Sequence, residues 1–328
     1  MKILVIQTAF IGDVILVTSL LEKLHYHFPE AELDFMVRKG NEGLLKQHPY
    51  LHETLVWDKK AGKYRTMWKL LKYVRSQQYD YVINVQRYAT TGFLTAFSGA
   101  KMTVGFDKNP LSFLFTKRIR HLFDGRHEVK RNTELVSFFT DEQVFPPKLY
   151  PTELPFEPLR PYVCIAPMSV WFTKRYPEHK WVKFLREIPS YLQVYILGGP
   201  EDIEACEHLR QAALSKHDRA VIQNMAGKLN LLQSGALMQG AVMNYVNDSG
   251  PLHLCSAVNA PTCAVYCSTA PILGFGPLAD FSRIVQANED LPCRPCGLHG
   301  RKTCPQGHFR CAEGIETSQL MDVLKEVI

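Results

Sequence analysis

The chain has 328 residues, 46% hydrophobic and 21% charged, with a formal net charge of +6. That length suits two compact domains, and the composition excludes a disordered or fibrous chain. No apolar run approaches the ~20 residues of a bilayer span, and Met1-Lys-Ile-Leu-Val-Ile reads as a strand and not as a signal peptide, so a cytoplasmic protein is expected.

Lys2–Ile6 is a short β-rich run, Thr8–Gly12 a loop, and from Val14 the apolar positions Val17, Leu20, Leu21, Leu24 and Phe28 fall on one helical face before Pro29. Strand-like runs follow at Leu33–Val37, Thr54–Trp57 and Tyr81–Val85, with a helical pattern over Tyr64–Gln77. Strands alternating with helices predict a parallel sheet covered on both faces. Residues 101–131 are basic, with Lys101, Lys108, Lys117, Arg118, Arg120, Arg126, Lys130 and Arg131 against Asp107, Asp124 and Glu128. Such a segment suits an anionic partner. Prolines from Pro146 to Pro161 mark a linker, giving domains 1–155 and 156–316, followed by a terminal helix, 317–328, expected to pack back on the first domain.

The second alternation has strands Tyr162–Ala166, Gln193–Leu197, Val242–Val246 and Cys263–Cys267, and helices over Trp181–Ile188, from about Glu201, from about Leu252, and over Ser318–Val327. Two doubly wound α/β halves are expected to hold a ligand cleft between them, at the C-terminal ends of the strands.

Four features could carry chemistry. The loop ending in Gly12-Asp13 has one glycine and no G-x-G-x-x-G, and strand two ends in Arg38-Lys39 where a ribose-binding acid would stand, which disfavours a nicotinamide cofactor. Asp13 reads either as a first-turn acid favoured by the helix dipole or as a carboxylate free to take a proton from a hydroxyl. Asn247-Asp248-Ser249-Gly250-Pro251-Leu252-His253 is an anion-ready helix start, in which Gly250 admits a phosphate and His253 sits one turn in. The loop Ser169–Pro177 carries Lys174 and Arg175, and Lys174 could neutralise a departing diphosphate. Cys293, Cys296, Cys304 and Cys311 cluster late in the chain with His299 and His308. Structural zinc, disulfide or redox pairing, and unliganded packing thiols all stay open for them, because the spacing lacks paired C-x2-C knuckles. The other five cysteines read as small buried hydrophobes.

These pieces, in this order, resemble the ADP-heptose:lipopolysaccharide heptosyltransferases, glycosyltransferase family 9. Gly12-Asp13-Val14 looks like the family's opening, and Lys174-Arg175-Tyr176-Pro177 to Trp181 like its K-x-W-P segment, with Tyr176 in the usual Trp place. Ala226-Gly227-Lys228-Leu229 to Leu231 resembles its A-G-K-T-S-L stretch, and 247–253 its N-D-S/T-G-x-x-H signature. The tail from Cys296 to Cys311 looks like the heptosyltransferase II branch. Tyr266-Cys267-Ser268-Thr269 departs from the usual F-G-P-T, and Ser19 stands near a customary proline.

The resemblance implies a GT-B fold, two Rossmann-like domains with parallel sheets facing a central cleft. It implies inverting transfer of a heptose to the inner core of lipopolysaccharide with no cofactor and no catalytic metal. By the same resemblance Asp13 is the general base and Lys174 the catalytic cation. The donor would be held by Gly12, Ser169, Gly199, Glu201, Leu229, Asp248, Ser249, Gly250 and His253. An anionic acceptor would meet Gln86, Arg87, Lys108, Arg118 and Arg120. The expected protein is a monomer touching the inner face of the cytoplasmic membrane peripherally, without nucleic acid. Alternatives are a transferase using another nucleotide sugar, a GT-B type nucleotide-sugar epimerase and, more remotely, a nucleic-acid-binding module, whose aromatic interleaving the basic segments lack.

Overall fold

A computed structural model describes residues 1–214 and 222–328, and the chain divides into two compact units, Met1–Leu149 and Tyr150–Ile328. The division falls inside the proline-rich stretch.

In the first unit, strands β1 (Lys2–Ile6), β2 (Glu32–Arg38), β3 (Leu51–Trp57), β4 (Tyr81–Asn84), β5 (Met102–Phe106) and β6 (Lys117–Ile119) form one sheet in the order β3-β2-β1-β4-β5-β6, all pairs parallel. Helices α1 (Ile11–His27), α2 (Lys63–Ser76), α3 (Ala89–Ala96) and α4 (Glu128–Glu134) connect or cover it. In β1, Ile3, Leu4, Val5 and Ile6 are all fully buried, as a central strand covered on both faces requires. α1 is buried on more than the one face its spacing predicts, because α4 packs on its outer side. The hydroxyls of Thr18 and Ser19 on that helix donate to the carbonyls of Ile15 and Leu16, each at 2.7 Å, so burial leaves them satisfied and Ser19 disturbs nothing. Lys23, wholly buried, donates to the carbonyls of Asp141 (2.5 Å) and Gln143 (2.8 Å) and pairs with the Asp141 carboxylate at 3.1 Å. It thereby ties the segment leaving the unit to α1.

The second unit repeats the design. Its strands β7 (Tyr162–Ala166), β8 (Gln193–Ile196), β9 (Ile222–Asn224), β10 (Met243–Asn247), β11 (Thr262–Tyr266) and β12 (Ser282–Gln286) lie in the order β12-β11-β10-β7-β8-β9, all parallel. Read from the other edge, this is the order of the first sheet, the Rossmann arrangement in both cases. Its helices are α5 (Glu178–Glu187), α6 (Ile203–Ala213), α7 (Leu231–Gln239), α8 (Gly250–Ala257), α9 (Arg310–Glu313) and α10 (Thr317–Lys325).

The terminal helix contributes to the core of its own unit. Leu320, Val323 and Leu324 of α10 belong to the second unit's core, with Trp181 and Phe184 of α5. The hydroxyl of Tyr245 on β10 reaches the Leu320 carbonyl at 3.1 Å. Tyr176, in the place of the customary Trp, stacks edge-on against Trp181 and donates its hydroxyl to the Ile315 carbonyl at 3.3 Å. Among the described residues no helix is long and apolar enough to cross a membrane.

Candidate active site

In open α/β sheets ligands bind where the strand order reverses, beyond the carboxyl ends of the two strands at the reversal. In the first unit these strands are β1 and β4, and in the second they are β7 and β10. Asp13 follows β1, Gln86 and Arg87 follow β4, Ser169 to Lys174 follow β7, and Asp248 to Gly250 follow β10. The principal sequence candidates therefore fall at the two switch points.

Asp13 is the third residue of α1, whose N-cap is Phe10. The first-turn backbone N–H groups of Phe10 and Asp13 act on its carboxyl to lower its pKa, as an acid at a helix start invites. Burial outweighs them and, with the charge of Glu128, raises the carboxyl to about 6, with Lys108 opposing. The helix-cap and proton-acceptor readings thus coincide in one side chain.

The preceding loop is held from three sides. Lys59 donates to the Thr8 hydroxyl (3.0 Å) and carbonyl (3.2 Å), Asn41 to the Ala9 carbonyl (3.1 Å), and the Gln7 side chain accepts from the Ala9 N–H (3.2 Å). Around Asp13 the charges alternate. Glu128 accepts from the Arg131 Nε at 2.7 Å, and Arg131 is only 1% exposed. Burial lowers Lys108, whose ammonium lies 4.9 Å from the Phe106 ring centre, to about 8. Gln86 is buried, and its side-chain oxygen has no partner among the described residues. Arg118 and Arg120 lie at or beside β6, the sheet edge three strands from β1, roughly 14 Å at the usual strand spacing. They do not join the charges around Asp13 as Lys108 does.

In the second unit, Lys174 and Asp248 meet as an ion pair, Nζ to Oδ2 2.7 Å, with side chains 14% and 8% exposed. Thr269 donates its hydroxyl to the same Asp248 oxygen at 2.6 Å. Asn247, at the end of β10, accepts from the Tyr176 N–H (3.1 Å) and donates to the Pro167 carbonyl (2.7 Å), which fixes the cation-bearing loop against the next strand. Ser169 is buried, and its carbonyl takes the Arg175 Nε at 2.7 Å. Ser249 is the N-cap of α8, with Gly250 and Pro251 opening the helix. His253 is 6% exposed, its ring centre 6.2 Å from that of Phe275.

A second group forms beside β8. Gly227, at φ +71°, bonds its N–H to the Gly198 carbonyl at 3.0 Å, and a Cβ there would lie 2.8 Å from Ile203 and 3.2 Å from the Pro200 Cα. Only glycine allows both that backbone angle and that approach. It brings the turn bearing Leu229 against the Gly199–Glu201 helix start.

The departure at residues 266–269 has a clear use. Ser268 donates to the Thr173 hydroxyl (3.0 Å), its carbonyl takes the Cys296 N–H (2.6 Å), and Arg294 bonds the Thr269 carbonyl (2.8 Å). Thr173 exchanges further bonds with the Arg301 backbone at 2.7 and 3.1 Å. The cysteine-rich segment is therefore stitched to the residues beside Lys174 and Asp248.

Cys293, Cys296, Cys304 and Cys311 all line a cavity of roughly 210 Å³ with Arg294, Arg301 and His308. All nine cysteines are free, and no three His, Cys, Asp or Glu side chains among the described residues gather closely enough for a metal. Burial pushes the Cys311 thiol up to about 11, and Arg294 lines the same cavity as the four sulfurs. Cys164, Cys206, Cys255, Cys263 and Cys267 are buried, as expected for small hydrophobes.

Residues 67–302 match glycosyltransferase family 9 (heptosyltransferase). The chain belongs to glycosyltransferase family 9. This family member is 27% identical to lipopolysaccharide heptosyltransferase 1 of Pseudomonas aeruginosa, over 93% of this chain and 87% of that protein. It is 25% identical to lipooligosaccharide heptosyltransferase 2 of Haemophilus influenzae, over 88% and 89%. Among solved structures, the Escherichia coli ADP-heptose lipopolysaccharide heptosyltransferase II superposes with a TM-score of 0.83 at 22% identity, covering 100% of this chain and 98% of that one. The expected family and GT-B class are borne out, and the protein is a glycosyltransferase.

Sequence reasoning did not single out Lys59, Glu128, Thr173 or Thr269 as site residues. Each acts on a group distant in sequence, so no local motif marks it.

Proposed function

We propose that this glycosyltransferase moves a heptose from ADP-heptose to the inner core of lipopolysaccharide, with inversion at the anomeric carbon. The observation that carries the reading is the Asp248 carboxylate shared by Lys174 and Thr269 at the second unit's switch point, in a member of a heptosyltransferase family whose relatives bear that activity in their names.

The acceptor hydroxyl is a poor nucleophile until its proton is removed. Asp13, held near 6, is ionised at neutral pH and still basic enough to take that proton. As the anomeric carbon–oxygen bond breaks, negative charge builds on the departing diphosphate. A lysine ammonium has three N–H donors. One meets Asp248, leaving others for phosphate oxygens, while Ser249 and Gly250 offer the N–H groups of a helix start. On this reading no metal is obligatory, and enzyme treated with chelator keeps its turnover. The Gly199–Glu201 turn and the backbone at Leu229 would meet the nucleotide. Gln86 and Lys108 would meet the acceptor, the first through its unpartnered oxygen and the second through its charge.

The test is transfer from ADP-heptose to heptose-deficient core oligosaccharide, with UDP- and GDP-sugars as competitors and product anomers read by NMR. Transfer specific to ADP-heptose with inverted configuration is expected. Transfer from another nucleotide sugar alone, or donor turnover without acceptor as an epimerase would give, overturns the reading.

A further inference from the structure

Helix α2 is Lys-Tyr-Arg-Thr-Met-Trp-Lys-Leu-Leu-Lys-Tyr-Val-Arg-Ser, with five cations and no acid. Met67, Leu71 and Val74 face the first unit's core, so the helix's apolar side is already used. Its outer side carries Tyr64 (65% exposed) and Trp68 (57% exposed) with Arg65, Lys69 and Lys72 beside them. Tyr64, Trp68 and Lys72 recur at helical spacing of four and so share one flank. None of the five cations of α2 forms an ion pair among the described residues, although most other cation-rich stretches of this unit contain one: Lys2 with Glu32, Lys39 with Asp58, Lys101 with Asp80, Arg126 with Asp124. The Trp68 ring stands edge-on to Phe93 at 5.3 Å, and Phe93 packs on the exposed Phe97 at 4.7 Å, so the aromatic surface continues onto α3.

We propose that the outer face of α2 docks this enzyme on an anionic phospholipid surface. The chemistry is complementary at each point. Unpaired lysines and arginines are attracted to anionic headgroups, and their alkyl stems accompany the ammonium groups into the interface. Trp and Tyr rings favour the headgroup level, where an apolar body and a polar edge are both satisfied. Because the apolar side of α2 is committed to the core, the contact is shallow and reversible, unlike that of a helix sunk into the acyl region. The position is useful as well. Lys59, just before α2, grips Thr8 in the loop leading to Asp13, so the docking helix and the proton acceptor belong to one mechanically connected piece of the first unit. The docking goes beyond the transfer reaction and stands on the surface chemistry alone.

The test is co-sedimentation of the full chain with vesicles of phosphatidylcholine, with and without roughly a third phosphatidylglycerol. Binding to the anionic vesicles only, weakening as salt rises, is expected. Lys69→Glu with Lys72→Glu should weaken partitioning at least about tenfold, Trp68→Ala should weaken it at equal charge, and Lys69→Arg with Lys72→Arg should retain it. All these variants should unfold at the wild-type denaturant midpoint and keep wild-type turnover on a lipid-free acceptor. Absence of wild-type binding, or binding unchanged by the charge reversal, overturns the proposal. So does equal retention on DNA or inorganic polyphosphate with no effect of Trp68→Ala, which would make the face a general polyanion surface. Intact vesicle binding without sugar transfer would count against the proposed function and leave the docking standing.

Discussion

Asp13 combines two demands that pull in opposite directions. Burial makes it a better base, and the same burial disfavours the charge it would carry at neutral pH as the proposed proton acceptor. Its carboxyl is raised to about 6 from an ordinary value near 4, so the folded state holds the proton more tightly than the unfolded one. The group is neutral to stability below about pH 4, where it is protonated in both states, and the fold loses stability as the pH rises toward 6. Asp13→Asn should therefore cut kcat by at least ~100-fold while leaving donor affinity near wild type. The same variant should gain on the order of 2 kcal/mol in denaturant unfolding at pH 7.5, a gain that vanishes near pH 4. In the wild type, kcat/KM should rise with pH to a plateau above about 6. If Lys108 holds the anionic acceptor, the acceptor KM should climb above about pH 8, as its ammonium loses its proton.

Lys174 poses the converse problem. Removing it strands a mostly buried carboxylate, so Lys174→Ala should lower stability by about 2–4 kcal/mol as well as weaken donor binding and turnover. Adding Asp248→Asn should restore the stability without the activity, and thermal unfolding beside calorimetric ADP binding separates the two. Asp13, Lys174 and Asp248 were legible in the sequence because each follows a strand end that the hydrophobic pattern marks. Lys59 and Glu128 were not, since what makes them matter is Thr8 and Asp13, far away along the chain.

Among the elements, the cysteine-rich segment gained most in meaning from the structure. Its spacing left metal, disulfide and packing readings open, and its hydrogen bonds show a strap fastened to Thr173, Ser268 and Thr269. Thr173→Val removes the hydroxyl that serves both Ser268 and the Arg301 N–H, for a loss of about 1–3 kcal/mol in stability. It should also raise the donor KM by loosening the loop next to Lys174, which steady-state kinetics would read. The central strands were legible because they are continuous apolar runs. β6 and β12 were not: β6 is three residues of Lys-Arg-Ile at a sheet edge, and β12 has exposed positions at Arg283, Ile284 and Gln286. The basic segment 101–131 likewise resolved into β5, β6 and α4, and Arg131, counted there as part of a charged patch, is an interior residue held by Glu128.

On the scale of the whole chain, the two units share one strand order, and the proposed chemistry is divided between them: Asp13, the proposed base, lies in the first, and Lys174 with its anion-ready helix start in the second. Ligand binding should reflect that division. ADP at about 100 times its dissociation constant should stabilise the protein by about 2.7 kcal/mol. Hydrogen exchange should slow mainly within residues 150–328, around the turns after β7, β8 and β10. Equal protection of residues 1–149 would contradict the assignment of the nucleotide to the second unit.

The placement of α10 bears on how the molecule is made. Domains generally fold as units while the ribosome works from the N-terminus. The first unit needs nothing beyond Leu149, so its core can close while the second is still being translated. The second cannot finish until Leu320, Val323 and Leu324 emerge, because they fill its interior beside Trp181. During that interval the nascent chain would carry a folded half with Asp13 already in place and an unfinished half still exposing the apolar surface of α5, a surface a chaperone could cover.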